Sequence, residues 1–300
     1  MSPMRPLLNL WLRLTEKPHM RRAKTPGKLR RSLEVKARIF FWPPRGARFE
    51  QATLAGRPAI WVNRAGDHGP LILYFHGGGY VFGSPRTHRA MLAQLSRRTG
   101  LPACLPDYRK APEHAFPAAT DDALAAYREV TAQGRPVVIG GDSAGGGLAL
   151  ALLHDIGRLG LPRPSGVFAF SPLTDLTFSG ESIQGNADAE AILPASRIGE
   201  MAETYLQGAD PRDPRASPLF GDFTGAPPVW LVAGDTEILL DDTRRMAARL
   251  TDQDVPVTSH IAHDLPHVWP IFHTLLPEAR ATLDDLAGWI TALSSRSGDS

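Results

Sequence analysis

The stretch that most limits what this chain can fold into is VVIGGDSAGGGLALALL, residues 137–153. An apolar strand runs to Gly140, a turn follows through Gly141, Asp142, Ser143, Ala144 and Gly145, and an apolar helix begins at once. The flanking glycines let the backbone turn tightly under strain. That turn lifts the Ser143 hydroxyl above a helix N-terminus, where the dipole favours negative charge. G-x-S-x-G is common by chance, but between a buried strand and a helix it marks Ser143 as a candidate nucleophile.

The same strand and helix rhythm runs through the rest of the chain. Short apolar runs at 59–63, 71–75, 101–106, 136–141, 166–171, 228–234 and 257–262 read as strands. Amphipathic segments at 86–98, 117–133, 144–159, 238–253 and 278–293 read as helices between them. Continuous apolar strands separated by helices imply a mostly parallel central sheet covered on both faces, an α/β fold. Chemistry in such sheets collects at the carboxyl ends of the strands. Residues 173–226 interrupt the rhythm with a polar, Gly-rich stretch and a short helix, and an insertion this long above strand ends usually shapes a binding site or lid. The tail SSRSGDS is polar.

Charge is unevenly placed. The formal net charge is +2, yet residues 1–48 hold 13 of the 33 Lys and Arg against two acids, Glu16 and Glu34. The chain is a basic arm on an acidic body. Because Leu8, Trp11, Leu12, Leu29, Leu33, Ile39, Phe40 and Phe41 need apolar cover, the arm is expected to be helical and folded onto the body. The sharper readings are an anionic membrane surface or nucleic acid. The longest apolar stretches are strand-sized, short of the roughly 20 residues of a membrane span, and the N-terminus lacks the pattern of a signal peptide. These features predict a soluble, cytoplasmic protein without stable membrane insertion. The single cysteine, Cys104, sits in LPACLP and reads as a buried strand residue.

A second glycine cluster follows the strand at 71–75: His76, Gly77, Gly78, Gly79. Acyl transfer passes through a tetrahedral oxyanion that needs fixed donors, and glycines let backbone N–H groups approach it. Gly77 and Gly78, with Ala144 after the nucleophile, are the expected donors. A phosphate loop is disfavoured because no Lys-Ser/Thr pair follows and the spacing fits no dinucleotide fingerprint. His76 reads as a loop organiser, since the general base of a strand-elbow nucleophile comes last in chain order.

HGGGY, then DYRKAPEHAFPAATDDA (Asp107 to Ala123), then GDSAGG, in this order and spacing, resembles the bacterial branch of the hormone-sensitive-lipase family of α/β-hydrolases. The resemblance runs from about Tyr74 to Pro270. It implies an α/β-hydrolase fold with a helical cap, made here by residues 1–48 and the insertion 173–226, over a core of 49–172 and 227–300. A cap role weakens the nucleic-acid reading of the arm. The resemblance also implies that Glu113, His114, Asp121 and Asp122 are structural. It implies a serine carboxylesterase acting on small, short-chain acyl esters, needing no metal or cofactor, and a possible homodimer.

The base is expected after the last strand, among His260, His263, His267 and His273. His260 is committed to a sheet face and His273 lies one to two turns into the next helix. His263 directly follows the strand. His267, in DLPHVWPIF, matches the family's late histidine and is preferred. For the acid, WLVAGDTEILLDD offers Asp235, Glu237, Asp241 and Asp242. The last two suit a helix start. Asp235 and Glu237, two apart, would share a strand face, so periodicity does not choose between them. The family frame, an acid heading an Asp-x-Leu-x-Asp run, falls on EILLDD and places Glu237 where Asp is usual. Ser143, His267 and Glu237 are therefore the expected triad. A non-catalytic binding protein on the same fold and a membrane-surface lipase are the alternatives.

Overall fold

The computed structural model describes residues 2–296 apart from Lys24, Ala65, Asp67, His68 and Gln133; residues 297–300 of the polar tail lie outside the described residues. Among those described, eight strands form one sheet: β1 (Phe49–Leu54), β2 (Arg57–Val62), β3 (Leu71–Phe75), β4 (Ala103–Pro106), β5 (Val137–Asp142), β6 (Gly166–Phe170), β7 (Val229–Gly234) and β8 (Val257–Ala262). Their spatial order is β1-β2-β4-β3-β5-β6-β7-β8. β1 and β2 pair antiparallel, as do β2 and β4, and the remaining neighbours are parallel. β1 is unanticipated. Its sequence FEQATL is half polar and only Leu54 is buried, so the edge strand carries no apolar run to announce it.

The period of two along each buried strand sorts the core into two halves. Leu71, Leu73 and Phe75 face one side of β3 with Ile139, Ala169 and Leu231, packed against α4 (Ala118–Thr131), α5 (Ala144–Arg158) and α8 (Leu240–Thr251). Ile72 and Tyr74 face the other side with Val138, Phe168 and Val232, packed against α3 (Pro85–Thr99) and α9 (Pro277–Arg296). Both faces of the central strands are buried, which is why these strands read as continuous apolar runs. Cys104 is buried in β4, and that burial pushes its thiol up to about 12.

The basic arm forms two helices, α1 (Met4–Arg22) and α2 (Pro26–Phe40). The insertion carries α6 (Ser182–Gly185) and α7 (Ile198–Leu206). Several of the arm's cations serve as ties. Arg13 donates to the Ala189 carbonyl at 2.6 Å, Lys17 to those of Ala187 and Glu190 at 2.8 Å, and Arg197 from the insertion reaches back to the Arg21 carbonyl at 2.7 Å. Arg30 binds the Val81 and Ala111 carbonyls and the Glu113 carboxylate, which it holds down at about 2 through their hydrogen bonds. Leu8 and Leu12 are buried as expected, but Ile39 remains 54% exposed and Trp11 38%, so the arm covers its own apolar residues only in part.

Candidate active site

Ser143 sits between β5 and α5 with φ +52° and ψ −123°, a backbone conformation that costs a non-glycine residue energy. The surroundings hold it there. Its N–H donates to the Phe170 carbonyl at 2.8 Å, and its carbonyl accepts from Leu173 at 2.9 Å and Gly147 at 3.0 Å. The turn closes because the neighbours are glycines: a Cβ on Gly145 would lie 2.1 Å from the Phe75 carbonyl oxygen, and one on Gly141 equally close to that of Gly145.

His267 brings Nε2 to 3.0 Å from Ser143 Oγ, and its Nδ1 lies 2.6 Å from Glu237 Oε2. Glu237 is 1% exposed, and its other oxygen, Oε1, accepts from Ser171 Oγ at 2.8 Å and from the Gly234 N–H at 2.5 Å. Ser171 Oγ in turn accepts the Val268 N–H at 3.1 Å, joining the acid turn to the histidine loop. A carboxylate with both oxygens engaged can present only one geometry to the imidazole. Burial acts to lower the His267 pKa, but the hydrogen bond and charge of Glu237, with Glu190 and Asp142 beyond it, raise it above the ordinary imidazole value.

The other histidines and acids of the late loops are elsewhere. Asp235 pairs with His263 at 2.7 Å, on an imidazole that is 69% exposed. His260 is exposed on β8, and His273 is buried against the Trp42 carbonyl at 3.2 Å. Asp241 accepts from the Ser182 N–H at 2.8 Å. Asp242 does more than complement a helix dipole: fully buried, it accepts the N–H groups of Thr174 and Asp175 at 2.7 and 3.0 Å and so fixes the start of the insertion. In the segment after β4, Asp122 pairs bidentately with Arg109 and Asp121 pairs with Arg215.

One expectation is corrected. The Gly77 N–H already donates to Asp142 Oδ1 at 3.0 Å in a buried setting, so it is not free to receive an oxyanion. A Cβ on Gly77 would meet Asp142 Oδ2 at 2.2 Å, which shows how closely this loop packs on the elbow. Asp142 also accepts from Tyr74 Oη at 2.7 Å and lies 3.2 Å from His88 Nε2. His76 is buried, stacked on Tyr108 at 4.4 Å, with Tyr108 Oη donating to its carbonyl at 2.6 Å. Burial holds its pKa well below the ordinary value, so it organises the loop as a neutral ring.

Sequence reading missed Asp142, Ser171 and Glu190. Ser171 directly follows β6 at the carboxyl edge of the sheet, the position where chemistry in such sheets collects. Glu190 is a single acid in a polar insertion and carries no local signal. It is 1% exposed, accepts from Ile192 and Ile238 at 2.8 and 3.1 Å, and is held above the usual carboxylate range by burial.

Ser143 and His267 lie at the floor of a largely apolar cavity of about 330 Å³. Trp11, Leu33 and Phe40 of the arm, Met201 of the insertion and Phe272 of the late loop share its wall.

The family described as alpha/beta hydrolase fold matches residues 72–271. An acetyl-hydrolase of Streptomyces hygroscopicus is 41% identical over 229 residues, 75% of this chain and 77% of the relative. The crystal structure of EstE5 soaked with p-nitrophenyl butyrate is similar with a TM-score of 0.91 at 38% identity, over 98% of this chain and 99% of that one. An esterase from the bacterial hormone-sensitive lipase family is similar with a TM-score of 0.90 at 34% identity, over the same shares of the two chains.

Proposed function

The chain belongs to the bacterial hormone-sensitive-lipase branch of the α/β-hydrolase fold and is a carboxylic ester hydrolase, and from that membership we propose that it cleaves small acyl esters through Ser143, His267 and Glu237. The observation that carries this reading is the continuous chain from Ser143 Oγ through His267 to Glu237, with links of 3.0 and 2.6 Å.

In this mechanism His267 Nε2 takes the Ser143 proton as Oγ attacks the ester carbonyl. Glu237 accepts the Nδ1 proton's hydrogen bond and stabilises the imidazolium that forms. The oxyanion then needs donors aimed at it. With Gly77 committed to Asp142, the role passes to the N–H groups of Gly78 and Gly79, together with that of Ala144, the first residue of α5, which as a helix N-terminus has no intrahelical acceptor. His267 returns its proton to the departing alcohol, and water repeats the sequence on the acyl-enzyme.

Helices α1 and α2 and the insertion 173–226 act as the cap, since both supply the upper wall of the cavity. Its volume of about 330 Å³ is near the lower end of ligand pockets, roughly 300–1,000 Å³, which favours small acyl esters. An intact Ser-His-Glu chain disfavours the non-catalytic alternative.

The test is p-nitrophenolate release from p-nitrophenyl butyrate, the ester used to soak EstE5. Ser143→Ala is expected to lower turnover by about 10³-fold or more. Comparable turnover in both proteins overturns the assignment.

A further inference from the structure

Eight of the nine large apolar side chains that stand exposed among the described residues belong to the first 42 residues. Leu7, Leu10 and Leu14 are 60, 54 and 68% exposed and recur at helical spacing on one face of α1. Val35, Ile39 and Trp42, 49, 54 and 65% exposed, repeat the pattern on α2 and just beyond it. The rings of Trp11 and Phe40 meet at 5.5 Å, so the two helices pack side by side there. A soluble domain scatters such residues singly; a concentration of this kind marks a contact surface.

The charge around the patch says what it contacts. Both acids of the arm are occupied, Glu16 by Lys36 and Glu34 by Ser84 Oγ. Lys28, Arg31, Arg38 and Arg45 stand exposed, so the outward charge of the arm is cationic. An isologous contact with a second copy would set these cations against one another. An anionic lipid surface satisfies both features together, taking the apolar side chains into the acyl boundary and the cations among the headgroups. No helix among the described residues is long and apolar enough to cross a membrane, so the contact lies in the interface plane.

We propose that α1 and α2 dock the enzyme on anionic bilayers, with the cavity mouth turned to the lipid. Met4, Leu7 and Trp11 belong to the exposed set and also line the cavity that ends at Ser143. The substrates delivered this way are acyl esters that partition into the bilayer. Only this direction of substrate entry rests on Ser143 being the nucleophile; the docking itself does not.

The experiment is co-sedimentation of the full chain with phosphatidylcholine vesicles with and without one-third phosphatidylglycerol, alongside hydrolysis of water-soluble p-nitrophenyl acetate. Two variants are compared with the wild type: Leu10→Ser/Leu14→Ser/Ile39→Ser/Trp42→Ser, and Arg31→Glu/Arg38→Glu/Arg45→Glu. None of these positions lines the cavity. The wild type is expected to bind the anionic vesicles and not the zwitterionic ones. Each variant should lose at least tenfold in vesicle binding while keeping its rate on the soluble ester. A wild type that stays in the supernatant, or variants that bind as it does, overturns the proposal. So does a dimer, seen by ultracentrifugation, that the apolar variant dissociates. Loss of soluble-ester hydrolysis in the wild type would instead count against the mechanism.

Discussion

The carboxylate of Asp235 lies 2.7 Å from Nδ1 of His263, outside the site, and its second oxygen accepts the Asp264 N–H at 2.7 Å. The acid that directly follows β7 is thereby tied to the histidine that directly follows β8. Glu237 and His267, each a few residues further along, form the pair that reaches Ser143. Two parallel Asp/Glu-His pairs thus stand at the ends of neighbouring strands, and only one of them touches the elbow.

Kinetics separate the two pairs. Glu237→Gln keeps the shape but cannot hold the imidazole in the productive tautomer, so kcat/KM should fall about 10³ to 10⁴-fold, the scale seen when a triad acid becomes an amide. Asp235→Asn should stay within about threefold of the wild type. Steady-state rates on p-nitrophenyl butyrate read both, and a large loss confined to Asp235→Asn would reverse the assignment.

The pH profile follows from the His267 environment. In the proposed mechanism His267 must be neutral to accept the Ser143 proton, and Glu237, Glu190 and Asp142 outweigh burial to hold this imidazole above its ordinary value of 6.5. Activity is therefore expected to rise with pH through an apparent pKa above 6.5 and then level off. Glu190→Gln removes one of those negative charges and should move the rising limb toward lower pH. The kcat/KM profile of both proteins checks this, and a limb that does not move would remove Glu190 from the electrostatics of the base.

Gly78 has φ +124°, and a Cβ there would fall 2.2 Å from the Phe82 carbonyl oxygen. The contact is with backbone, so the loop must shift and its N–H groups with it. Gly78→Ala should lower kcat by roughly 10²-fold, the scale of one lost oxyanion donor, with a smaller change in KM. Unchanged kcat would exclude this loop from the oxyanion site.

Asp242 predicts a stability trend. Burial pushes its carboxyl up to about 7, against the backbone and side-chain hydrogen bonds that pull it down. The unfolded chain releases this proton near pH 4, so between about pH 4 and 7 the folded protein holds a proton that the unfolded one has lost. Its contribution to stability therefore falls as pH rises through that window. Asp242→Asn keeps an oxygen for the Thr174 and Asp175 N–H groups and should show a smaller drop in Tm between pH 5 and pH 8. Thermal melts at the two pH values measure it, and equal drops in both proteins would refute it.

The sequence by itself determined the parallel sheet, because strands buried on both faces must be continuously apolar. It determined the elbow at Ser143, because only that run of small residues between strand and helix allows the turn. It also pointed to the late histidine. The tertiary structure decided which acid reaches it. Side-chain parity is a local property and puts Asp235 and Glu237 on one face, but β7 ends at Gly234 and the chain turns there. The Glu237 N–H donates back to the Gly234 carbonyl at 3.3 Å, and Glu237 Oε1 accepts the Gly234 N–H. That turn swings Glu237 inward toward Ser171 and leaves Asp235 outside with His263. The same holds at Gly77, whose N–H is spent on Asp142, a residue 65 positions away that only the pairing of β3 with β5 brings beneath it.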